Sequence, residues 1–564
     1  MLPMLVAPCL AGQAMFVDVA EEAGLSDVFY CGRDDRKDYI LEAIGPGVAL
    51  LDFDRDGFLD AFFVSGTTLE GFPPSEAPSN HLYRNNGDGT FTNATDRTGV
   101  RRTGWGHGAC VGDVDNDGFD DLFVTYFGQN ALYRNTGHGS FTNITTEADV
   151  GGGARWSAGC AFLDYDLDGH LDLFVANYLA FEIDRVPRRG VSPTCQWMGQ
   201  AVACGPRGLP GETDQLFRNL GGGHFEDVSE NAGIASIGDR YSLSVTPLDY
   251  NLDGWPDIYV AVDSQASILL ENRRNGTFEE MALFAGVALD ENGDVQAGMG
   301  SAAADLDGDG RLDIIKTNFI QEPSNVYMSS ASSTFEDRVH ALGAGVSARY
   351  MGWGIGALDY DLDSWPDVIV ANGHTYPEIE GLVPDNPYRQ QRLLYRNIAG
   401  RRLDPVDPPA GSAILAAHSS RGLAVGDYDN DGDPDVFVNN MNERPSLLRN
   451  DSPAAGGFLT LRLVGTKSNR SAIGARVTVR ASGRILVQEV RSGSSFLSNH
   501  DLRLHFGLGA STKADVVTID WPLESSTDTI SDVASGQFLE ITEGSGVTAR
   551  SRPARATQAD PIRP

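Results

Sequence analysis

One string recurs seven times in this chain of 564 residues: Asp-x-[Asp/Asn]-x-Asp-[Gly/Ser]-x-x-Asp. The first copy is Asp52, Asp54, Asp56, Asp60, and the second Asp113, Asp115, Asp117, Asp121. The third is Asp164, Asp166, Asp168, Asp172, and the fourth Asp249, Asn251, Asp253, Asp257. Asp305, Asp307, Asp309, Asp313 form the fifth, Asp359, Asp361, Asp363, Asp367 the sixth, and Asp427, Asp429, Asp431, Asp435 the seventh. Their starts lie 61, 51, 85, 56, 54 and 68 residues apart, so the chain is an array of units of about fifty to sixty residues with insertions.

Two further markers run in phase with the first. A Phe-led segment opens the units, as in Phe91-Thr-Asn-Ala and Phe225-Glu-Asp-Val, and a Leu-Tyr-Arg-Asn variant closes most of them, as at Leu82 to Asn85 and Leu394 to Asn397. Between the markers stand apolar or alternating runs of four to seven residues bounded by turn residues, with no helical period of comparable length, so the runs are strands. Four short strands per unit and seven units predict an all-β chain, a seven-bladed β-propeller over residues 15–450. The Phe16 strand precedes the first full unit and is expected to complete the last blade.

Carboxylates at positions one, three, five and nine, with glycine at six, curl a loop so that several oxygens converge on one hard cation. Calcium takes six to eight oxygen ligands, and the loop supplies them together with the carbonyl of position seven. An EF-hand needs Glu at position twelve between helices; here that position is Phe63, Val124, Val175, Val260, Lys316, Val370 and Val438, all within strands. Leaving the clustered carboxylates unneutralised costs several pKa units of repulsion per loop. Up to seven Ca²⁺ are therefore expected, in a chiefly structural role, stapling hairpins within blades. Copies four and six are the weaker ones, since Asn251 replaces a charge and Ser364 the turn glycine.

Composition narrows the partners. Against 43 Lys plus Arg stand 78 Asp plus Glu, a formal net charge of −35, which disfavours nucleic acid and anionic membranes. No apolar run is long enough to span a bilayer, and a monomer is expected. Six cysteines make no disulfide framework and no CxxC pair. Cys195 and Cys204 read as a loop disulfide in an oxidising compartment, and Cys110 and Cys160, in apolar strands, as buried residues. Residues 1–14, apolar with small residues near the end, read as the remnant of a secretory signal, and the chain as extracytoplasmic. Alternating Leu459, Leu461, Leu463 and Ala475, Val477, Val479 predict a small β-sandwich over 451–545. Residues 546–564, rich in Arg, Pro, Thr and Ala, read as a disordered tail.

These residues carry a resemblance. The units look like FG-GAP or VCBS repeats of integrin α-subunit propellers, and the chain resembles the cartilage acidic protein family with its C-terminal ASPIC/UnbV domain. The matching stretches are Cys195-Gln-Trp-Met-Gly with Cys204-Gly-Pro-Arg-Gly-Leu-Pro-Gly, Ala371-Asn-Gly-His-Thr-Tyr-Pro377, and Arg421-Gly-Leu-Ala-Val-Gly-Asp-Tyr-Asp-Asn-Asp-Gly. Ser468 to Arg476, Phe506-Gly-Leu-Gly509 and Trp521-Pro522 resemble the ASPIC/UnbV signature.

Each unit runs a strand into its Asp loop and another out. Residues about eight before the loop and twelve to fifteen after it are therefore expected at the opposite rim. That rim collects Glu42, Trp105, His107, Arg155, Trp156, Arg240, Tyr241, Asp263, Trp353, His374, Tyr376 and Arg421. Aromatics, arginines and acid/base groups converging on one end of a channel compose a small-molecule site; blade-edge capping is the bland explanation for any one of them. His374, Asp263 and His107 are the acid/base candidates. The others are candidate substrate-binding groups, among them Arg155, Arg240 and Arg421 for a carboxylate or phosphate. The leading reading is a calcium-stabilised extracytoplasmic module that binds a protein or small molecule at this rim. The alternative, implied by the resemblance to proteins accompanying natural-product gene sets, is an enzyme catalysing a non-redox cyclisation or rearrangement there.

Overall fold

A computed structural model describes residues 15–551, apart from 193–194, 383–384 and 524–525; residues 1–14, read above as a signal remnant, lie outside them. Seven four-stranded antiparallel sheets follow one another along the chain. In the first, Val48–Leu51, Asp60–Phe63, His81–Asn85 and Phe91–Asn93 pair in sequence order. The innermost strands pack neighbour to neighbour, and the last, Ser420–Gly426, packs on the first, so the ring closes. The seventh sheet takes its outer strand from the opposite end of the chain: Phe16–Asp18 pairs antiparallel with Ser446–Asn450.

The three markers have separate structural duties. The ninth-position Asp opens the second strand and accepts two backbone N–H groups: Asp172 takes Tyr165 N at 3.0 Å and Asn219 N at 2.8 Å. The closing Asn then reaches sideways. Asn85, Asn135, Asn219, Asn272, Asn397 and Asn450 each donate Nδ2 to the second residue of a neighbouring sheet's Asp loop, at 2.8–2.9 Å. Ser329 takes this place in the fifth sheet, and its buried hydroxyl has no hydrogen-bond partner. The leading Phe packs between sheets; Phe141 and Phe53 lie 6.0 Å apart by ring centroid.

Residues 458–551 build two further four-stranded sheets around a shared core that includes Leu461, Val477, Val517 and Ile541. The tail expected from 546 gives way to a strand, Gly546–Ser551, antiparallel to Gln537–Thr542, because the outer edge of that sheet has free backbone groups for it to satisfy. Residues 552–564 lie outside the described residues. The sandwich sits on the Asp-loop face of the ring, and residues 490–502 enter the channel. Ser301 N donates to Ser495 O at 3.1 Å, Ala109 N to Leu497 O at 3.2 Å, Leu50 N to Asn499 O at 3.1 Å, and Asp501 N to Val425 O at 3.0 Å. Ser492 and Ser495 hydroxyls accept from Phe162 N and Ile355 N. The inserted segment thereby satisfies inner-edge groups on six of the seven sheets. Gly47 has to be glycine here: a Cβ would sit 1.7 Å from the Leu497 carbonyl oxygen.

Two disulfides are formed among the described residues. Cys195–Cys204 closes a loop as expected. Cys110 and Cys160, read above only as buried, are bonded to each other across the inner strands of sheets two and three. Each stands three or four residues before its Asp loop, so the repeat places them side by side.

Candidate functional site

At the loop end of the ring, the Asp loops share one backbone design. Position four is left-handed in Arg55, Asn116, Leu167, Leu252, Gly308, Leu362 and Asn430, and position six is left-handed in every copy, Ser364 included. In six loops the first Asp accepts the N–H groups of positions five and six, as Asp113 does from Asp117 at 3.0 Å and Gly118 at 2.6 Å, and in the fifth Asp305 takes those of Gly308 and Gly310. This folds the third-position side chain inward. Asp54, Asp115, Asp166, Asp361 and Asp429 each keep one buried carboxylate oxygen without a partner. In five loops, Asp52/Asp54/Asp60, Asp113/Asp115/Asp121, Asp164/Asp166/Asp172, Asp305/Asp307/Asp313 and Asp359/Asp361/Asp367, three carboxylate oxygens lie within 4.8 Å of one another. The sixth loop, expected to be weak, keeps its cluster, with Arg484 donating to Ser364 Oγ at 2.6 Å.

Such oxygens need a positive charge or protons. Burial pushes the carboxyls of Asp113, Asp164 and Asp305 up to about 7 and that of Asp313 to about 8, and drives Asp121, Asp172 and Asp367 well above the usual carboxylate range. The marker Arg supplies part of the balance: Arg218 approaches Asp166 at 2.7 Å and Arg396 approaches Asp361 at 2.7 Å. One guanidinium does not saturate three carboxylates, and an all-oxygen donor set of this density fits a hard divalent cation.

The opposite rim is built differently. Residues 31–46, an insertion at 179–214 in sheet three and another at 373–392 in sheet six meet over the channel mouth. Arg189 N donates to Asp38 O at 2.9 Å, Lys37 N to Glu378 Oε1 at 3.4 Å, and Trp197 packs 5.6 Å from His374. Most rim residues are consequently interior. His107 lies 5.5 Å from Trp156; its ring nitrogens and the Trp156 Nε1 are buried without partners. Tyr178, which packs 5.0 Å from Trp156, donates to Asp263 at 2.6 Å, and Tyr241 donates to Leu209 O at 2.8 Å. Glu42 accepts from Asp38 N and Tyr39 N through Oε2 and leaves Oε1 unpartnered.

Across the channel, Arg421 stacks 4.0 Å over Trp353, which donates to Gly373 O. Arg421 is not an open anion binder, because its guanidinium donates to the carbonyls of Ala43 (3.1 Å), Ile44 (3.0 Å) and Ser420 (2.8 Å). It ties the covering segment to the ring. His374 accepts Tyr376 N at Nδ1 and keeps a bare Nε2. Burial holds His107 down at about 4 and, with Arg421 behind it, His374 at about 3; the same effect raises Asp263. Trp105, Arg155 and Arg240 stay half-exposed, Arg155 3.6 Å from Glu212 and Arg240 capping Asp239 O.

Sequence reading missed two groups here. The buried Lys37 donates to Cys31 O at 2.6 Å and is pushed down to about 8, and Cys31 is a buried free thiol. Both lie outside the repeat, so no spacing marks them.

Residues 52–124, 113–175, 202–260, 249–315 and 359–438 match the FG-GAP-like repeat, together more than half of the chain, and residues 465–548 match the ASPIC and UnbV family. The chain belongs to the FG-GAP-like repeat proteins with a C-terminal ASPIC and UnbV domain. Cartilage acidic protein 1 of Homo sapiens is 26% identical over 57% of this chain and 46% of its own length, and that of Xenopus tropicalis is 25% identical over 59% and 53%. This FG-GAP protein thus spans about half the length of the curated relatives it matches. Among solved structures, an Agrocybe aegerita lectin is similar at a TM-score of 0.39 and 16% identity, covering 77% of this chain and 96% of the lectin. A Ruminococcus gnavus intramolecular trans-sialidase is similar at 0.33 and 11%, covering 76% and 97%.

Proposed function

We propose that this chain is a calcium-stabilised, extracytoplasmic interaction protein. The observation that carries the calcium part is the buried, unpartnered third-position oxygen, repeated in five loops at the same place in the turn. Two disulfides support an oxidising compartment, and among the described residues no helix is long and apolar enough to cross a membrane. The repeat family and the cartilage acidic proteins support an interaction role. Heating the protein with and without a calcium-specific chelator tests the first part: a fall in Tm of more than about 10 °C is expected, and an unchanged Tm contradicts it.

The second reading, an enzyme converting a small organic molecule by a non-redox cyclisation or rearrangement, is favoured by the bare, buried nitrogens of His107 and His374 beneath the covering segments. It requires those segments to open. Retention of a metabolite from a native extract, lost in His107→Ala and His374→Ala, supports it; equal retention by all three proteins removes it.

A further inference from the structure

Three clefts lie between the Asp-loop face of the ring and the sandwich. The one with the largest volume, about 410 Å³, opens between loops one and two on one side and the sheet of Phe458–Val464, Gln537–Thr542 and Gly546–Ser551 on the other. That volume is within the usual range for small-ligand sites. Its walls are mixed: Leu50, Leu463, Leu502 and Phe538 give apolar surface, while Arg55, Arg462, Arg470, Arg503 and Arg550 give guanidinium groups.

Those arginines are unequally engaged. Arg503 is committed, to Asp501 at 2.8 Å, Asn430 at 2.8 Å and Asp427 O at 2.8 Å. Arg55 lies 5.5 Å from the Phe119 ring centroid and, with Arg462, favours the charged form of the buried Asp120, but among the described residues it forms no ion pair within 4 Å. For Arg462 the nearest carboxylate is Glu540 at 3.8 Å, and Arg550 meets only Gln537 at 3.4 Å. The acidic residues of the cleft are Asp52, Asp56, Asp113, Asp120, Asp501 and Glu540. The first three belong to the Asp loops. Once cations neutralise them, Asp120, Asp501 and Glu540 face five guanidinium groups.

We infer that this cleft is a binding site for an organic anion: an acidic group set between Arg55 and Arg462, on an apolar body packed against Phe538 and Leu502. The inference rests on calcium filling loops one and two. A planar guanidinium with free N–H groups pairs with carboxylate, sulfate or phosphate in two-pronged fashion, and the apolar wall adds buried area. The site couples the two halves of the chain, since ring loops and sandwich strands each supply one of its arginines.

Naphthalene-2-sulfonate and its neutral counterpart naphthalene-2-sulfonamide, titrated calorimetrically into the calcium-loaded full chain, test the site. The sulfonate is expected to bind about tenfold more tightly than the sulfonamide. Arg55→Gln and Arg462→Gln should each weaken the sulfonate at least about fivefold and leave the sulfonamide alone. Arg185→Gln, at an exposed arginine paired only with Glu182, should change neither. Arg55 is exposed, so its replacement leaves folding intact. Equal affinities for the two probes, or arginine variants that bind as the parent does, overturn the inference. Metal analysis of the same samples separates the two failures. Calcium present without sulfonate preference sinks the cleft alone, and absence of calcium sinks the loop reading.

Discussion

The two ends of the ring are made from the same strands and follow different rules. At the loop end every unit contributes carboxylates from the same turn, with Asn251 replacing one of them in the fourth, and the sandwich lies over them as a separate layer. At the far end each unit contributes something different, and three irregular segments seal those residues into the interior. Chemistry at the loop end is therefore set by the repeat, and chemistry at the rim by what the insertions bring over it. Charge follows the same division. The loop end holds 27 of the 78 acidic residues as loop aspartates, whereas at the rim His107, His374 and Asp263 are buried, Arg421 is tied to backbone carbonyls, and Arg155 and Arg240 stay half-exposed.

Acidification probes both ends and carries the largest expected effect. His107 and His374 at the rim are held at about 4 and 3, and His500 and His505 under the sandwich at about 4, by burial in each case. A histidine whose folded pKa is depressed contributes stability that is complete above about pH 6.5, its unfolded value, and is lost as pH falls toward 4. The calcium-loaded protein should lose roughly 3 kcal/mol per histidine over that window, read as denaturant midpoints from pH 7 to 4. Replacing His107 and His374 together by Gln should remove about half of the histidine share of the slope; an unchanged slope would mean that the rim is open to water.

Next in size, Asp172→Ala removes the acceptor of two backbone N–H groups and one arm of a carboxylate cluster. A loss of about 3–5 kcal/mol is expected, larger in calcium than in chelator. Phe496→Ala acts on the channel between the two ends. Phe496 is fully buried, 4.8 Å from Trp353 by ring centroid, and its truncation should cost about 3 kcal/mol; a cost near zero would show the inserted segment to be dispensable. The smallest effect should be a gain. Ser329→Asn restores the sideways bond that six other sheets make and is expected to stabilise by about 1 kcal/mol, measured by thermal unfolding.

The ring was legible because its signals are local and repeated. The spacing of the Asp strings marked the strands, and Phe16, standing ahead of the first unit, pointed to the closing strand. Gaps of 85 and 68 residues after the third and sixth strings marked the insertions, but length alone did not say that they fold over the rim, so residues expected around an open site proved to be interior. Arg421 shows the physical reason. Its carbonyl partners at Ala43 and Ile44 are 378 and 377 residues away, and no periodicity encodes them. Likewise no local pattern marks Ser492, Ser495 and Asn499, because the groups they satisfy are strand edges of other sheets. The Cys110–Cys160 bond was recoverable in principle, from two cysteines at nearly the same place in consecutive units.

The central claim, that the loop end is a set of cation sites written into the repeat, is tested most directly by counting calcium. Equilibrium dialysis followed by metal analysis should find five or more ions per chain, matching the converging carboxylate groups, with Asp115→Ala and Asp166→Ala each removing one. A stoichiometry of one or none, at calcium concentrations where the fold is intact, would contradict it.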